Sequence, residues 1–339
     1  MIKLIGYTRD ELLELLAIER LSAVRLDRLL YWLYKRKISD FNDMIDLPKL
    51  LRQRMASGYS TGFYPPKSSF SSSDGSKKYL FDAGDKGTIE TVFLPEPRRK
   101  TLCMSVQAGC RMGCSFCQTG AGGYRGNLSA GEIINQFCSI PESGGLTHAV
   151  FMGMGEPFDN YENLIRAIRI LTSEWGMAIG ASHITVSTVG VLPGLKKFLL
   201  DTRAHLAISL HSPFPEERKR WMPVENKYPI KEIVKYLTGI QVEKRRRISF
   251  EYAMVKGIND SQSHAEALSE LLNHSGFRIN LIPFNPVAAL NWAPSDEETV
   301  KRFRNYLDRS GIPATIRKSR GVDIGAACGL LGGCKQGNS

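Results

Sequence analysis

From about residue 100 onward the chain alternates short apolar runs with amphipathic stretches, and this alternation limits the fold more than any other feature. Six runs have the length and β-branched or aromatic content of strands: TLCMSV (101–106), THAVFM (147–152), HITVST (183–188), HLAISL (205–210), ISFEYAM (248–254) and INLIP (279–283). Between or after them, NYENLIRAIRILTSEW (160–175), PIKEIVKYLTGIQVEK (229–244) and DEETVKRFRNYLDRS (296–310) carry apolar residues at helical spacing. Strand and helix in alternation imply a parallel sheet, open or closed into a barrel, with the chemistry in loops at the C-terminal ends of the strands.

The first sixty residues read differently. RDELLELLAIE (9–19), AVRLDRLLYWLYKRK (23–37) and DLPKLLRQRM (46–55) are helical by apolar periodicity, the last opened by an Asp-x-Pro signal. STGFYPPKSSFSSSDGS (60–76) has the Ser, Gly and Pro content of a linker or long loop, and KKYLFDAGDKGTIETVFLP (77–95) reads as a hairpin turning at Gly84–Gly87. A chain of 339 residues exceeds one compact core, so a main and an accessory domain are expected. The expected division is a helical accessory domain over 1–62, linker and hairpin over 63–96, an α/β core over 97–330 and a tail over 331–339.

Composition narrows the class. With 42% hydrophobic and 23% charged residues the chain is an ordinary globular sequence, and its apolar runs are too short to span a bilayer. The start, MIKLIGYTRDELLELLAIER, lacks the apolar region of a signal peptide. Seven cysteines, three of them within eight positions, favour ligand or redox chemistry in a reducing compartment, so a cytoplasmic location is expected. The net charge is +11, with basic runs at 35–37, 98–100, 218–220, 244–247 and 317–320. Any single run can be solvated surface, but together they point to a polyanionic partner, nucleic acid before membrane.

The densest chemistry is CRMGCSFC, where Cys110, Cys114 and Cys117 follow the first strand as C-x3-C-x2-C. A closed zinc site wants four ligands, and a loop completed by a His or a distant Cys is one reading. Cubane iron–sulfur clusters ordinarily take four thiolates, so three leave one iron open to a substrate or cofactor.

The cysteine spacing, with Phe116 before its last member, resembles the signature of radical SAM enzymes. In that superfamily the open iron of a four-iron, four-sulfur (4Fe-4S) cluster chelates S-adenosylmethionine, whose reductive cleavage yields a 5′-deoxyadenosyl radical. The segments TLCMSVQAGCRMGCSFCQTG, FMGMGEPFDNYENL, ITVSTVGVLPGL, AISLHSP, MPVENKYPI, ISFEYAMVKGIND, NLIPFNPV and SRGVDIGAACG narrow the match. Running in order from 101 to 329, they resemble the RlmN/Cfr family of RNA adenine methyltransferases, and the helical start and hairpin fit as well. The resemblance implies a partial (βα)6 radical SAM barrel with a small helical N-terminal domain and a connecting β-hairpin.

It also implies roles. Cys110, Cys114 and Cys117 would hold the cluster, and Gly155, Glu156, Ser187, Ser209, Leu210, His211 and Asn285 would contact S-adenosylmethionine. Without the family, His211 reads equally as a satisfied buried histidine. Cys328 would be methylated by one S-adenosylmethionine and activated by a radical from a second, then joined to the adenine by a methylene bridge. Cys103 would attack Cys328 to release the product and close a transient disulfide. Read alone, both are small buried hydrophobes, as Cys138 and Cys334 are taken to be. Glu90, on a strand face with Val92 and Leu94, would be the proton acceptor or adenine-binding group, although a surface carboxylate reads equally well. The implied partners are ribosomal RNA, transfer RNA or both and an electron donor such as flavodoxin or ferredoxin, with the chain a monomer and the product methylated at carbon 2, carbon 8 being the other reading.

The chain departs from the family pattern in four places. An extra glycine gives RGNL, Phe214 and Glu225 stand at positions usually Asn, and RGVDIGAACG lacks two acidic residues beside Cys328.

Overall fold

A computed structural model describes residues 1–333 except 242, 244, 274, 275, 288 and 289. Cys334, the expected tail from 334 onward and Lys244 of the 244–247 run lie outside the described residues. The strands in chain order are β1 (Ile2–Lys3), β2 (Tyr59–Ser60), β3 (Ser68–Ser71), β4 (Lys77–Asp82), β5 (Thr88–Glu96), β6 (Arg99–Cys103), β7 (Gln107–Gly109) and β8 (Tyr124–Asn127). They continue with β9 (His148–Phe151), β10 (Ile184–Thr188), β11 (His205–Ser209), β12 (Ile248–Met254), β13 (Arg278–Pro283) and β14 (Ala314–Ile316).

The N-terminal segment forms helices Arg9–Leu15, Ala23–Leu30 and Lys49–Gly58, drawn together by the short parallel pair of β1 with β2. Thr8 and Glu11 form a capping box that starts the first helix, satisfying amide groups that would otherwise lack partners. The second helix passes into a π-helical turn, Tyr31–Arg36, which brings Tyr34 inward. Its hydroxyl accepts from the Gly6 amide at 3.1 Å and donates to the Tyr7 carbonyl at 2.6 Å. Gly6 and Gly131 meet backbone to backbone, so a Cβ on either would collide with the other segment. This close approach seats the helical segment on the start of the Ala130–Cys138 helix.

One ten-stranded sheet organises the rest, in the order β14-β13-β12-β11-β10-β9-β6-β5-β4-β3. The six expected runs supply its parallel strands β6, β9, β10, β11, β12 and β13, in sequence order and joined by helical crossovers. Their inner residues are buried on both faces, as parallel strands flanked by helices must be. The hairpin β4–β5 turns over Gly84–Lys86 as expected and adds antiparallel strands beside β6. Six strands were not foreseen, among them the short pair β1 and β2. Within the expected 60–76 linker, β3 pairs with β4, Ser68 opposite Leu80; it is a fully exposed serine-rich edge with no alternation to read. At the other edge β14 has three residues, and β7 with β8 makes a separate small sheet.

Candidate active site

The pair β7–β8 brackets residues 110–123 and so holds the cysteine loop against the C-terminal end of the sheet. The Cys110 amide donates to the Gly123 carbonyl at 3.0 Å and that of Cys117 to Cys114 at 3.2 Å, while Cys117 begins the short helix Gln118–Ala121. Cys114 is buried with Trp221, Met222 and Val224. Burial pushes the Cys110 thiol up to about 12, and the charges of Glu156, Cys117 and Asp159 add to the effect. Cys114 is raised by burial and then by Cys117 and Cys110, with Arg218 opposing. Ionising these thiols together therefore requires a cationic group among them. Among the described residues no three His, Cys, Asp or Glu side chains converge as a single metal ion requires. A cubane offers each thiolate its own iron, and the three cysteines of this loop fit that donor set.

Beside the loop a cavity of about 180 Å3 opens at the strand ends, lined by Cys117, Gly155, Glu156, Ser187, Ser209, His211, Asn285 and Cys328, among others. Sequence-expected residues from six separate segments thus share one cavity. Cys103, Cys110, Cys114 and Glu90 lie outside this lining, and of the residues expected to contact S-adenosylmethionine Leu210 alone does not line the cavity, being fully buried in the core. Gly155 has φ +99°, and a Cβ there would lie 2.5 Å from the Gln107 Cβ and 2.8 Å from its amide nitrogen, so packing on β7 already demands glycine. Glu156 accepts from Thr188 Oγ1 (2.7 Å) and the amides of Phe158 (3.0 Å) and Val189 (2.9 Å). Burial raises its pKa to about 7 against these bonds. A carboxylate has about four acceptor sites, so one remains on Oε2. His211 has φ +58°, packs edge-on to Phe116 at 4.8 Å and accepts the Ala253 amide on Nδ1 at 2.9 Å. Burial, then Arg218, lowers its pKa to about 3, leaving a neutral ring with its proton on Nε2. The satisfied buried histidine and the cavity residue are therefore the same side chain.

Sequence reasoning missed Arg218. Counted in the surface run 218–220, it is instead fully buried and donates to the carbonyls of Val189 (2.8 Å), Ser209 (2.9 Å) and Leu210 (3.1 Å). It also pairs with buried Glu225, one of the departures from the family pattern. One guanidinium thus gathers the ends of β10 and β11, where the cavity opens. Arg246, in the run 244–247, likewise turns inward onto the Leu199 carbonyl at 2.8 Å. Neither run is wholly solvated. The other departure, Phe214, packs edge-on against His264 at 5.0 Å, away from the cavity lining.

Cys328 is exposed toward the cavity with protein massed around it, and that burial, followed by the charge of Glu251, raises its thiol pKa. Burial pushes Cys103, at the end of β6, up to about 12, and the nearby charge of Cys328 adds to it. The six described cysteines are all free, so the implied disulfide is open in this structure. Cys138 packs in the core. Asn285 Nδ2 donates to the Cys328 carbonyl at 3.0 Å, and the Gln118 amide to that of Gly329 at 2.7 Å. Upstream, Asp323 accepts from Ser72 Oγ and the Ser73 amide, while Arg320 pairs with Asp74 at 3.0 Å. Glu90 is buried, not a surface carboxylate; its Oε2 lies 3.4 Å from Lys78 Nζ. It lies outside the cavity lining, beside Ser105 and Met154.

The Radical SAM superfamily model matches residues 104–268, and the ribosomal RNA large subunit methyltransferase N-terminal domain matches residues 2–59. The chain is 43% identical over 333 residues to a probable dual-specificity RNA methyltransferase RlmN of Parabacteroides distasonis, covering 98% of this chain and 97% of that protein. It is 38% identical over 337 residues to the dual-specificity RNA methyltransferase RlmN of Halorhodospira halophila, at 98% and 94% coverage. A crystal structure of a radical SAM methyltransferase from Sphaerobacter thermophilus shares 40% identity and superposes with a TM-score of 0.91 over 98% of this chain and 99% of that one. The open α/β sheet and the cysteine loop define a radical SAM enzyme, and the chain belongs to the RlmN family of RNA methyltransferases within that class. Its cofactors are accordingly a 4Fe-4S cluster and S-adenosylmethionine, the latter used twice per turnover. Among the described residues no helix is long and apolar enough to cross a membrane.

Proposed function

We propose that this chain methylates carbon 2 of an adenine in ribosomal RNA, transfer RNA or both, through a methyl group carried on Cys328. The observation that supports this reading is that Cys328 lines the same cavity as Cys117, Glu156 and His211. A 4Fe-4S cluster on Cys110, Cys114 and Cys117, with S-adenosylmethionine at its open iron, supplies the radical chemistry that activates the methyl group. Glu156 offers its remaining acceptor site to the cofactor ammonium, and Gly155 gives close backbone approach. Ser187, Ser209, His211 and Asn285 supply polar groups around the cofactor.

Once base and Cys328 are joined by a methylene, the adduct's unpaired electron would return to the bound cluster, and Glu90 accepts the proton from the target carbon. The Cys103 thiolate then attacks the Cys328 sulfur; the sulfur–carbon bond breaks, its electron pair stays with the base, where a proton completes the methyl group, and a Cys103–Cys328 disulfide forms. A thiol reductant reopens it. In this reading the protein is a cytoplasmic monomer served by a flavodoxin or ferredoxin.

The test is to incubate anaerobically reconstituted enzyme, reductant and S-adenosylmethionine with protein-free ribosomal RNA and with transfer RNA, then digest to nucleosides. 2-Methyladenosine is expected, and Cys103→Ala should retain RNA covalently. 8-Methyladenosine as the sole product overturns the carbon-2 assignment, and peptide maps that never carry a methyl on Cys328 overturn the route.

A further inference from the structure

The hairpin holds an ion pair that the scheme above does not use. Lys78 on β4 faces Val92 in the antiparallel ladder and Leu80 faces Glu90, so Lys78 and Glu90 are diagonal neighbours on one face of the sheet. Their charged atoms are 3.4 Å apart, and the side chains are 1% and 5% exposed. The same ammonium lies 3.4 Å from the Gly325 carbonyl and 5.6 Å from the centre of the Phe70 ring. An ammonium is this deeply buried only when it is paired and hydrogen-bonded.

The geometry points to Lys78 as a positioning residue for Glu90. It holds that carboxylate turned along the hairpin face, and through Gly325 it ties this posture to the loop that carries Cys328. The inference rests on the proposed role of Glu90 as proton acceptor. Position 325 strengthens it. A Cβ at Gly325 would lie 3.5 Å from Lys78 Nζ, so an Asp there would compete with Glu90 for the ammonium. Glycine removes the competitor. Across the ladder Cys103 on β6 faces Val92 and so brings a titratable thiol to the same face as Glu90, whereas Ser105 and Met154 make uncharged contacts with the Glu90 backbone.

The test uses full-length reconstituted enzyme and compares Lys78→Met, Lys78→Arg, Gly325→Asp and Glu90→Gln. Two readouts are taken: methylation of Cys328 by peptide mass, which does not involve Glu90, and the rate at which the covalent protein–RNA adduct resolves, as a function of pH. Lys78→Met is expected to methylate Cys328 as the parent does. Its adduct should resolve at least ~10-fold more slowly near neutrality, with the profile moved to higher pH by about one unit or more. The sign follows from losing a cation, which makes the carboxyl harder to ionise. Lys78→Arg should restore the profile. Gly325→Asp, which keeps the buried cation and tolerates the left-handed backbone, should move it upward by less. A parental profile in both Lys78→Met and Gly325→Asp, with Glu90→Gln stalled, overturns the inference and leaves the reading of Glu90 standing. If Lys78→Met does not fold, a parental profile in Gly325→Asp alone overturns it. Parental resolution by Glu90→Gln overturns the reading of Glu90 itself.

Discussion

The amide of Gln118 donates to the carbonyl of Gly329, so the helix that follows the third cysteine is fastened to the segment that carries Cys328. The next residue repeats the contact, Thr119 Oγ1 donating to the Leu331 carbonyl at 2.6 Å. The thiol expected to carry the methyl group and the thiols expected to hold the cluster are thereby kept in register by two adjacent residues.

Replacing Thr119 by Val keeps the shape and deletes the donor, leaving a buried carbonyl unpaired. The expected cost is about 1–3 kcal/mol of local stability. Hydrogen exchange should quicken over 326–331 while the parallel strands keep their protection, and uniform quickening through the sheet would contradict the local role.

Arg218 and Glu225 form a buried pair that orders three strand-end carbonyls. Arg218→Met strands a carboxylate and should destabilise the fold by about 3–5 kcal/mol in denaturant unfolding. Glu225→Asn should cost less, because the guanidinium keeps its carbonyl partners. The double replacement Arg218→Met/Glu225→Met should recover much of the loss, and simple additivity would show that the two side chains are not coupled.

His211 should stay neutral across the working range. Its folded pKa, about 3, lies below the ordinary 6.5. The folded state therefore binds the proton less readily, and the stabilisation it contributes is complete above 6.5 and lost as pH falls toward 3. Nitrogen shifts of the ring should report the Nε2–H tautomer from pH 8 to pH 5. A titration centred near 6.5 would show that the ring is not held as described.

Asp74 anchors the other end of the loop. Burial opposes its ionisation, but bonds from Ser76, the Gly321 amide and Arg320 outweigh it and hold the carboxyl well below its ordinary 3.8. Stability from this group is present above 3.8 and is lost only as pH falls through the lower folded value. Limited proteolysis at 318–325 should therefore be flat down to pH 4, whereas Asp74→Asn should open the segment already at pH 7.

How much of this was legible follows from where the information sits. The six parallel strands could be read because each is a continuous apolar run whose burial does not depend on a partner's identity. The edge strand at Ser68–Ser71 could not, since only Phe70 among four residues is apolar and the strand exists through its pairing with β4. The cysteine loop was plain from spacing. Arg218 was hidden because a charge run looks solvated until a fold supplies carbonyls deep enough to receive it. Leu210 was named for its motif, and its side chain went to the core; motifs specify positions, whereas the cavity selects side chains. Glu90 was balanced between surface and site until Lys78, twelve residues earlier, was seen beside it.

The two fastenings of the Cys328 loop also bear on how the molecule is made. Ser72 and Asp323 are separated by 251 positions, and Thr119 and Leu331 by 212. Synthesis proceeds from the N-terminus, so the hairpin and the cysteine loop emerge long before the segment that completes them. During that interval the sheet can form strand by strand, but the thiols assigned to the reaction in the proposed function remain unassembled. On that proposal, a nascent chain of this design would be chemically silent toward the RNA of the ribosome producing it until the segment around Cys328 has emerged and docked.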